Sequence, residues 1–524
     1  MKKRQILAAV MAMVMSVALC ACGGGKTTEN SSEGTSNENS VAEDSSSNTL
    51  SEGTPVSGGS VVFGMTQTLT SLDPHMNTDA GTRDMVFNLY EGLVKPASDG
   101  DIVPAVASEF KISDDAKTYT FTLRDGITFH DGTPVTVEDV KYSIDRYAEI
   151  QGESSAFSIV SDVTIADEKT IVVTLKESYA EFLALMTVAI IPESNEDITG
   201  NPIGTGPFKF KSYTPGENLV LEKYDGYWKE DAPYLDEVTF KFCADVDTAY
   251  VELQAGTIDI LRYLTADQAA NLGDEFTIYE GSMNLVQGMF LNHEYEPLSI
   301  KEVRQALCYA VDRDSVNQFL FGGKSKIIGS HMIPTLGKYY EEAAEAVYTY
   351  DPAKAKELLA EAGYADGFDL EITVPSSYSQ HVKTSEIFAE QLSQVGINVT
   401  IKQVEWSTWL EEVYQGGQFQ ATVIGFDATL MPGDFMMRYT SDSSKNFMHY
   451  YSEEYDTVFT QAYEAVDDEE KIELYKEAQM ILAEDAAAVY IEDPANLVAV
   501  SSEFAGYTFY PNSAEDMSLL YMVE

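Results

Sequence analysis

A helix that ends at a glycine and feeds directly into a strand constrains this chain most. Apolar residues recur at helical spacing over 383–395, Gly396 stops the run, and Val399-Thr400-Ile401 reads as a strand. A helix tied this closely to a strand lies against the sheet it feeds, which is the unit of an α/β layer. A second helix carries its own punctuation. Asp351 stands at the N-cap, Pro352 at the first helical position, Leu358 and Leu359 on the inner face, and Gly363 at the end. Residues 301–320 and 467–485 are also expected to be helical. Strands are expected at 61–63, 118–123, 170–175, 238–242 and 370–374. No internal repeat is visible, and the mixture of half-buried strands with α/β units predicts more than one lobe.

The N-terminus gives an address. Lys2, Lys3 and Arg4 precede an apolar run over 6–19, about 14 residues, which suits a signal-peptide core and is short for a membrane span. Leu19-Cys20-Ala21-Cys22 resembles a bacterial lipobox, in which the cysteine is acylated and becomes the new N-terminus. Cys20 fits less well, because Leu19 would then precede it directly. Residues 1–21 are therefore expected to be a lipoprotein signal peptide, with Cys22 carrying the lipid (a palmitate-type anchor). An ordinary secretory signal with two incidental cysteines is the bland alternative. Residues 22–58 are rich in Gly, Ser, Thr, Asn and Glu and poor in large apolar residues, a composition that cannot bury a core. They read as a tether whose coil would span roughly 30–35 Å.

The 85 acidic against 33 basic residues give a net charge of −52. Such a chain repels nucleic acid and anionic membrane surfaces, and most of this charge is read as a solvated surface. The 44% apolar content indicates a well-cored protein. Cys243 and Cys308 remain beyond the signal; their pairing is open, and the apolar helix pattern around Cys308 favours a buried thiol.

A search for catalysis returns little. The six histidines are scattered, with no HExxH pair, GxSxG elbow, P-loop or GxGxxG. His75 and His381 are the two to test for a metal; no metal and no cofactor is expected. Binding is favoured over catalysis.

Several ordered blocks then match one family. They are Leu72-Asp73-Pro74-His75, Tyr90-Glu91-Gly92-Leu93, Phe129-His130-Asp131-Gly132-Thr133-Pro134 before a helix starting near Glu138-Asp139, Gly204-Thr205-Gly206-Pro207-Phe208, Tyr227-Trp228, Val303-Arg304-Gln305-Ala306 and the 351–363 helix. Over residues 60–524 the chain resembles family 5 extracellular solute-binding proteins, the dipeptide, oligopeptide and nickel binders of ABC importers. The signature around His130 also has plain folding explanations, a turn at Asp131-Gly132 and a cap at Thr136, with Arg124 and Asp139 as an expected pair. The resemblance implies a periplasmic-binding-protein type II fold, with two α/β lobes on a hinge and an extra α+β domain. By similarity, lobe I would be 59–92, 202–283 and 497–524, the extra domain 93–201, and lobe II 284–496.

The implied role is a lipid-anchored receptor, monomeric, on the extracytoplasmic face of a cell membrane of Gram-positive type. It would pass a peptide or peptide-like solute to ABC permease and ATPase subunits, with no nucleic-acid partner. In peptide-binding members an Asp after an aromatic takes the peptide ammonium. Here Phe426 stands for the usual Trp and Thr429 occupies that Asp position, leaving Asp427 or Asp434 to substitute. The other expected ligand contacts are Thr78, Asp79, Arg83, Tyr378, His381, Trp406 and Arg438. A sugar, an opine-like cation or a metal chelate are alternative ligands. A surface-anchored hydrolase with paired carboxylates, or a signalling receptor, are alternatives of another class.

Overall fold

The computed structural model of the protein describes residues 54–76, 79–152, 156–512 and 514–524. The signal peptide, Cys22, all of the tether up to residue 53, and Thr78 lie outside the described residues.

The strand Ser60–Met65 stands inside a seven-stranded sheet because its Val61, Phe63 and Met65 are covered on one face while Val62 and Gly64 meet a second core on the other. The sheet order is Phe276–Ser282, Ala495–Ser501, Ile260–Leu261, Ser60–Met65, Glu237–Phe242, Asn218–Lys223, Phe208–Thr214. Ser60–Met65 is parallel to both neighbours, and the pairs beyond them are antiparallel. Phe63, Phe208, Leu219, Phe240 and Val498 fill the core of this first lobe.

The second lobe holds a six-stranded sheet in the order Lys326–Ile327, Ala488–Asp493, Leu285–Leu291, Ala421–Asp427, Asp369–Pro375, Asn398–Val404. The helix Ser379–Ser393 joins Asp369–Pro375 to Asn398–Val404, and these strands pair in parallel. The 351–363 helix is Pro352–Glu361, with Asp351 accepting from the amides of Ala353 and Lys354.

The chain passes between the sheets twice, at Met283-Asn284 and at Pro494, and the Met283 amide donates to the Pro494 carbonyl at 2.8 Å. Two short crossings side by side form a hinge. Ala495–Ser501 already belongs to the first sheet, so the crossing falls ahead of the expected boundary at 497.

Between the first two strand groups the chain builds a four-stranded antiparallel sheet, Ala107–Ile112, Thr118–Leu123, Thr170–Leu175, Val160–Ile165, with the helix Val137–Gln151 against it. Thr136 and Asp139 form a capping box at that helix's start. This commits Asp139 locally. Arg124 donates to the Ala105 carbonyl at 2.5 Å and lies 3.8 Å above the Trp228 ring, instead of meeting Asp139.

This extra domain is pinned to the first lobe. Arg146 pairs with Asp73 at 2.5 Å, and Tyr224 Oη donates to the Phe129 carbonyl at 2.6 Å. His130 Nε2 donates to the Gly206 carbonyl at 3.1 Å while its Nδ1 accepts from the Gly204 amide. Burial pushes this imidazole down to about 4, so it is neutral and can accept. The glycines are needed for close approach: a Cβ on Gly206 would stand 2.5 Å from the Asn88 carbonyl oxygen. The Gly204-Thr205-Gly206 block is thus a packing device between backbones.

Candidate functional site

A cleft of ≈ 430 Å³ runs between the lobes. One wall comes from 83–92 of the first lobe and from 94–96 and 184–189 of the extra domain, the other from 427–431 of the second lobe. Its volume is that of a site for a small ligand. Phe87, Tyr90 and Tyr147 supply apolar faces, and Arg83, Glu91, Lys95, Asp427 and Asp516 supply charge.

Asp427 is the last residue of its strand, where side chains of an α/β sheet emerge toward a crevice. It stays open to the cleft, yet both lobes surround it. That enclosure pushes its carboxyl up, and the Arg83 guanidinium across the cleft pulls it part of the way back. Arg83 sits in the helix Ala80–Val86. Asp79 caps that helix, accepting from the Thr82 amide at 2.8 Å and from Thr70 Oγ1 at 2.6 Å, so its carboxylate is committed to the backbone. Thr429 also lines the cleft. Its Oγ1 donates to the Met431 carbonyl at 3.0 Å and accepts the Met431 amide at 3.3 Å, which shapes the loop.

The other expected contacts do not line this cavity. Asp434 lies in the short helix Pro432–Met436 and pairs with Lys445 Nζ at 2.6 Å. Arg438 is buried, with its guanidinium 3.9 Å over the Phe426 ring, so Phe426 serves as a platform for an internal cation. Tyr378 and Trp406 are each 38% exposed and meet edge to face at 5.4 Å. Trp406 stacks on Trp409 at 5.2 Å, and the buried Trp409 donates to Thr422 Oγ1 at 2.9 Å. They form an aromatic patch beside the second sheet, outside the cleft lining. His381 is buried on the inner face of its helix and accepts from Gln287 Nε2 at 2.8 Å. Burial pushes it down to about 3, and no metal-binding group of His, Cys, Asp and Glu occurs among the described residues.

Sequence reasoning missed Lys95 and Asp516. Lys95 pairs with Glu91 at 2.9 Å, and Glu91 also accepts from Tyr227 Oη at 2.7 Å and Trp228 Nε1 at 2.6 Å. The Tyr90-Glu91-Gly92-Leu93 block and Tyr227-Trp228 carry the available signal, but in the sequence they mark the family and not the cleft. Asp516 accepts from Tyr510 Oη at 2.7 Å and reaches the cleft from the far end of the chain. Cys243 and Cys308 are both free thiols, buried in separate cores.

Two α/β lobes on a double crossing, with a charged and aromatic cleft between them, define a periplasmic-binding-protein type II architecture. The profile of bacterial extracellular solute-binding proteins, family 5 (middle region), matches residues 101–448, and the chain belongs to that family. It is 28% identical over 547 residues to the oligopeptide-binding protein AppA of Bacillus subtilis (strain 168), covering 97% of each chain. It is 27% identical over 476 residues to the glutathione-binding protein GsiB of Salmonella typhi, covering 86% of this chain and 92% of that one. Among solved structures, the periplasmic binding protein DppA from Helicobacter pylori in complex with the peptide STSA superposes with a TM-score of 0.71 at 26% identity. That match covers 90% of this chain and 99% of DppA. The protein is a solute-binding component of an ABC transporter and not an enzyme. Among the described residues, no helix is long and apolar enough to cross a membrane.

Proposed function

We propose that the protein captures a short peptide, or a peptide-like zwitterion, between its lobes and hands it to an ABC permease, held at the cell surface by a lipid on Cys22. The observation that carries this reading is the opposition of Arg83 on one lobe and Asp427 on the other across the cleft. A zwitterion offers a carboxylate to the first and an ammonium to the second, so its contacts favour the closed state. The peptide and tripeptide-sized ligands in the names of the relatives support this class. The 430 Å³ cleft suits a short peptide.

Native mass spectrometry of the purified protein, followed by elution and identification of its cargo, tests the reading directly. An intact peptide is expected, and a chemically altered one refutes binding without turnover. With that peptide, Asp427→Asn should weaken binding about 10- to 100-fold, as loss of a charge-assisted contact does. Asp434→Asn should leave affinity unchanged, because Lys445 already holds that carboxylate. Cys22→Ala should release active binder into the medium; retention in the membrane fraction would end the anchor proposal.

A further inference from the structure

Beside the hinge lies a second cavity of ≈ 50 Å³, and Asp427, Ala428 and Asn512 line both it and the cleft. Its wall contains a buried ion triad. Arg262 Nη1 donates to Glu515 Oε1 at 2.5 Å, its Nη2 donates to Asp84 Oδ2, and Tyr507 Oη donates to Glu515 Oε2 at 2.9 Å. Glu515 is thereby satisfied on both oxygens. Asp84 is not: it is 2% exposed, and its Oδ1 has no hydrogen-bond partner. Asn512 Oδ1, also shielded from solvent, has none either. Both residues line this one cavity.

The charges facing the space are unequal. Asp84, Glu515 and Asp427 line the cavity against Arg262 alone, and Arg83 acts on Asp84 and Asp427 from the cleft side. A buried acceptor without a donor is costly, and a buried surplus charge more so. Burial accordingly pushes Asp84 up and Glu515 up to about 7, and a bound cation would reverse both shifts. At about 10–15 Å³ for each water-sized group, the space admits about three to five such groups, far less than a peptide. An ammonium brings three donors, matching the three acceptors Asp84, Asn512 and Asp427.

We propose that this cavity is a subsite for a compact monovalent cation, held by Asp84, Asn512 and Asp427 where the two lobes meet at the hinge. The cation is either the primary ammonium of the bound solute or a dissolved alkali ion. The proposal rests on the solute-binding reading above and adds to it the group that anchors the solute or its closed state.

The test uses ligand-stripped full-length protein and thermal unfolding in methylammonium, potassium and tetramethylammonium chlorides at equal ionic strength. Methylammonium should raise Tm saturably by a few degrees over tetramethylammonium, which is bulky and has no N–H. An equal rise with potassium assigns the site to free alkali ions; a rise with methylammonium alone assigns it to the solute's ammonium. Asp84→Asn and Asn512→Ser should each abolish the increment. Asn512→Ser leaves the ion triad in place, so it decides the matter if Asp84→Asn does not fold. No increment over tetramethylammonium, or one that survives in Asn512→Ser, overturns the proposal. Peptide binding measured in parallel separates the outcomes. Intact peptide binding without the increment removes this cavity alone, whereas absence of peptide binding removes the wider reading.

Discussion

Closure of the cleft should depend on Glu181, which reaches from the extra domain into the second lobe. Its carboxylate accepts from the Gly433 amide at 3.1 and 3.0 Å and from Tyr475 Oη at 2.5 Å, with Lys471 nearby. Because Arg146, His130 and Tyr224 bolt the extra domain to the first lobe, rotation at the hinge must make or break these bonds. Gly433 also lies two residues beyond the 427–431 stretch that forms one cleft wall. Glu181→Ala strands two buried donors, each at about 1–3 kcal/mol. The carboxylate's own desolvation, which pushes it up, offsets part of that. A net loss of about 2–4 kcal/mol corresponds to about 30- to 900-fold in affinity. If the bonds belong to the closed state, the loss appears in Kd and the off-rate while the Tm of ligand-free protein stays put. Titration calorimetry with the eluted peptide measures the first. Spin labels at the exposed Asp162 and Glu469 report the distance between the extra domain and the second lobe. Glu181→Gln keeps one acceptor oxygen and should recover part of the affinity. Unchanged affinity and distance in Glu181→Ala, or a ligand-free Tm that falls in step with affinity, refutes the closure role.

Three further outcomes follow from local geometry. Glu492 and Asp493 are fully buried beside the hinge, and burial pushes them up to about 8 and about 7. Raised folded-state values mean the folded protein holds these protons more tightly, so stability is fullest below the ordinary carboxylate range and is lost from there as pH rises, until it levels off past 7–8. Denaturation midpoints should fall from pH 6 to pH 9, and Glu492→Gln should flatten that slope and raise the midpoint at pH 9. Gly433→Ala would put a Cβ 2.6 Å from Tyr475 Oη and 2.8 Å from Tyr463 Cδ2, so it should weaken peptide binding as Glu181→Ala does, by the same calorimetry. Gly206→Ala would press on the Asn88 carbonyl, which as backbone cannot swing away. It should cost about 1–3 kcal/mol in thermal or chemical denaturation.

What was legible in the sequence was local. The 379–393 helix and its following strand, the capped 352–361 helix and the capping box at Thr136 each depend on residues a few positions apart, and their chemistry is complete within that span. The catalytic search also read correctly, since the family binds solutes. The site was legible only in part, and the reason lies in the double crossing. A hinge of two crossings requires each sheet to be built from separated stretches, so the cleft wall joins residues 83–96 to residues 512–516 across the rest of the chain. Asp427 and Thr429 were visible because one ends a strand that the motif marks and the other follows it in the loop. Asp434 and Arg438 looked equally available, but availability is a property of partners. Lys445 pairs with Asp434 from a later loop, and the Phe426 face covers Arg438. A charged side chain is read from sequence as exposed because burial without a partner is costly. Here the Phe426 ring faces the buried Arg438 guanidinium and Lys445 pairs with the partly exposed Asp434, and nothing near either residue in the chain announces these partners. The same logic explains Asp84: its guanidinium partner, Arg262, enters from the end of the Ile260–Leu261 strand, far along the chain. The charge left over once that pair forms exists only in the folded molecule, at the point where the lobes must rotate.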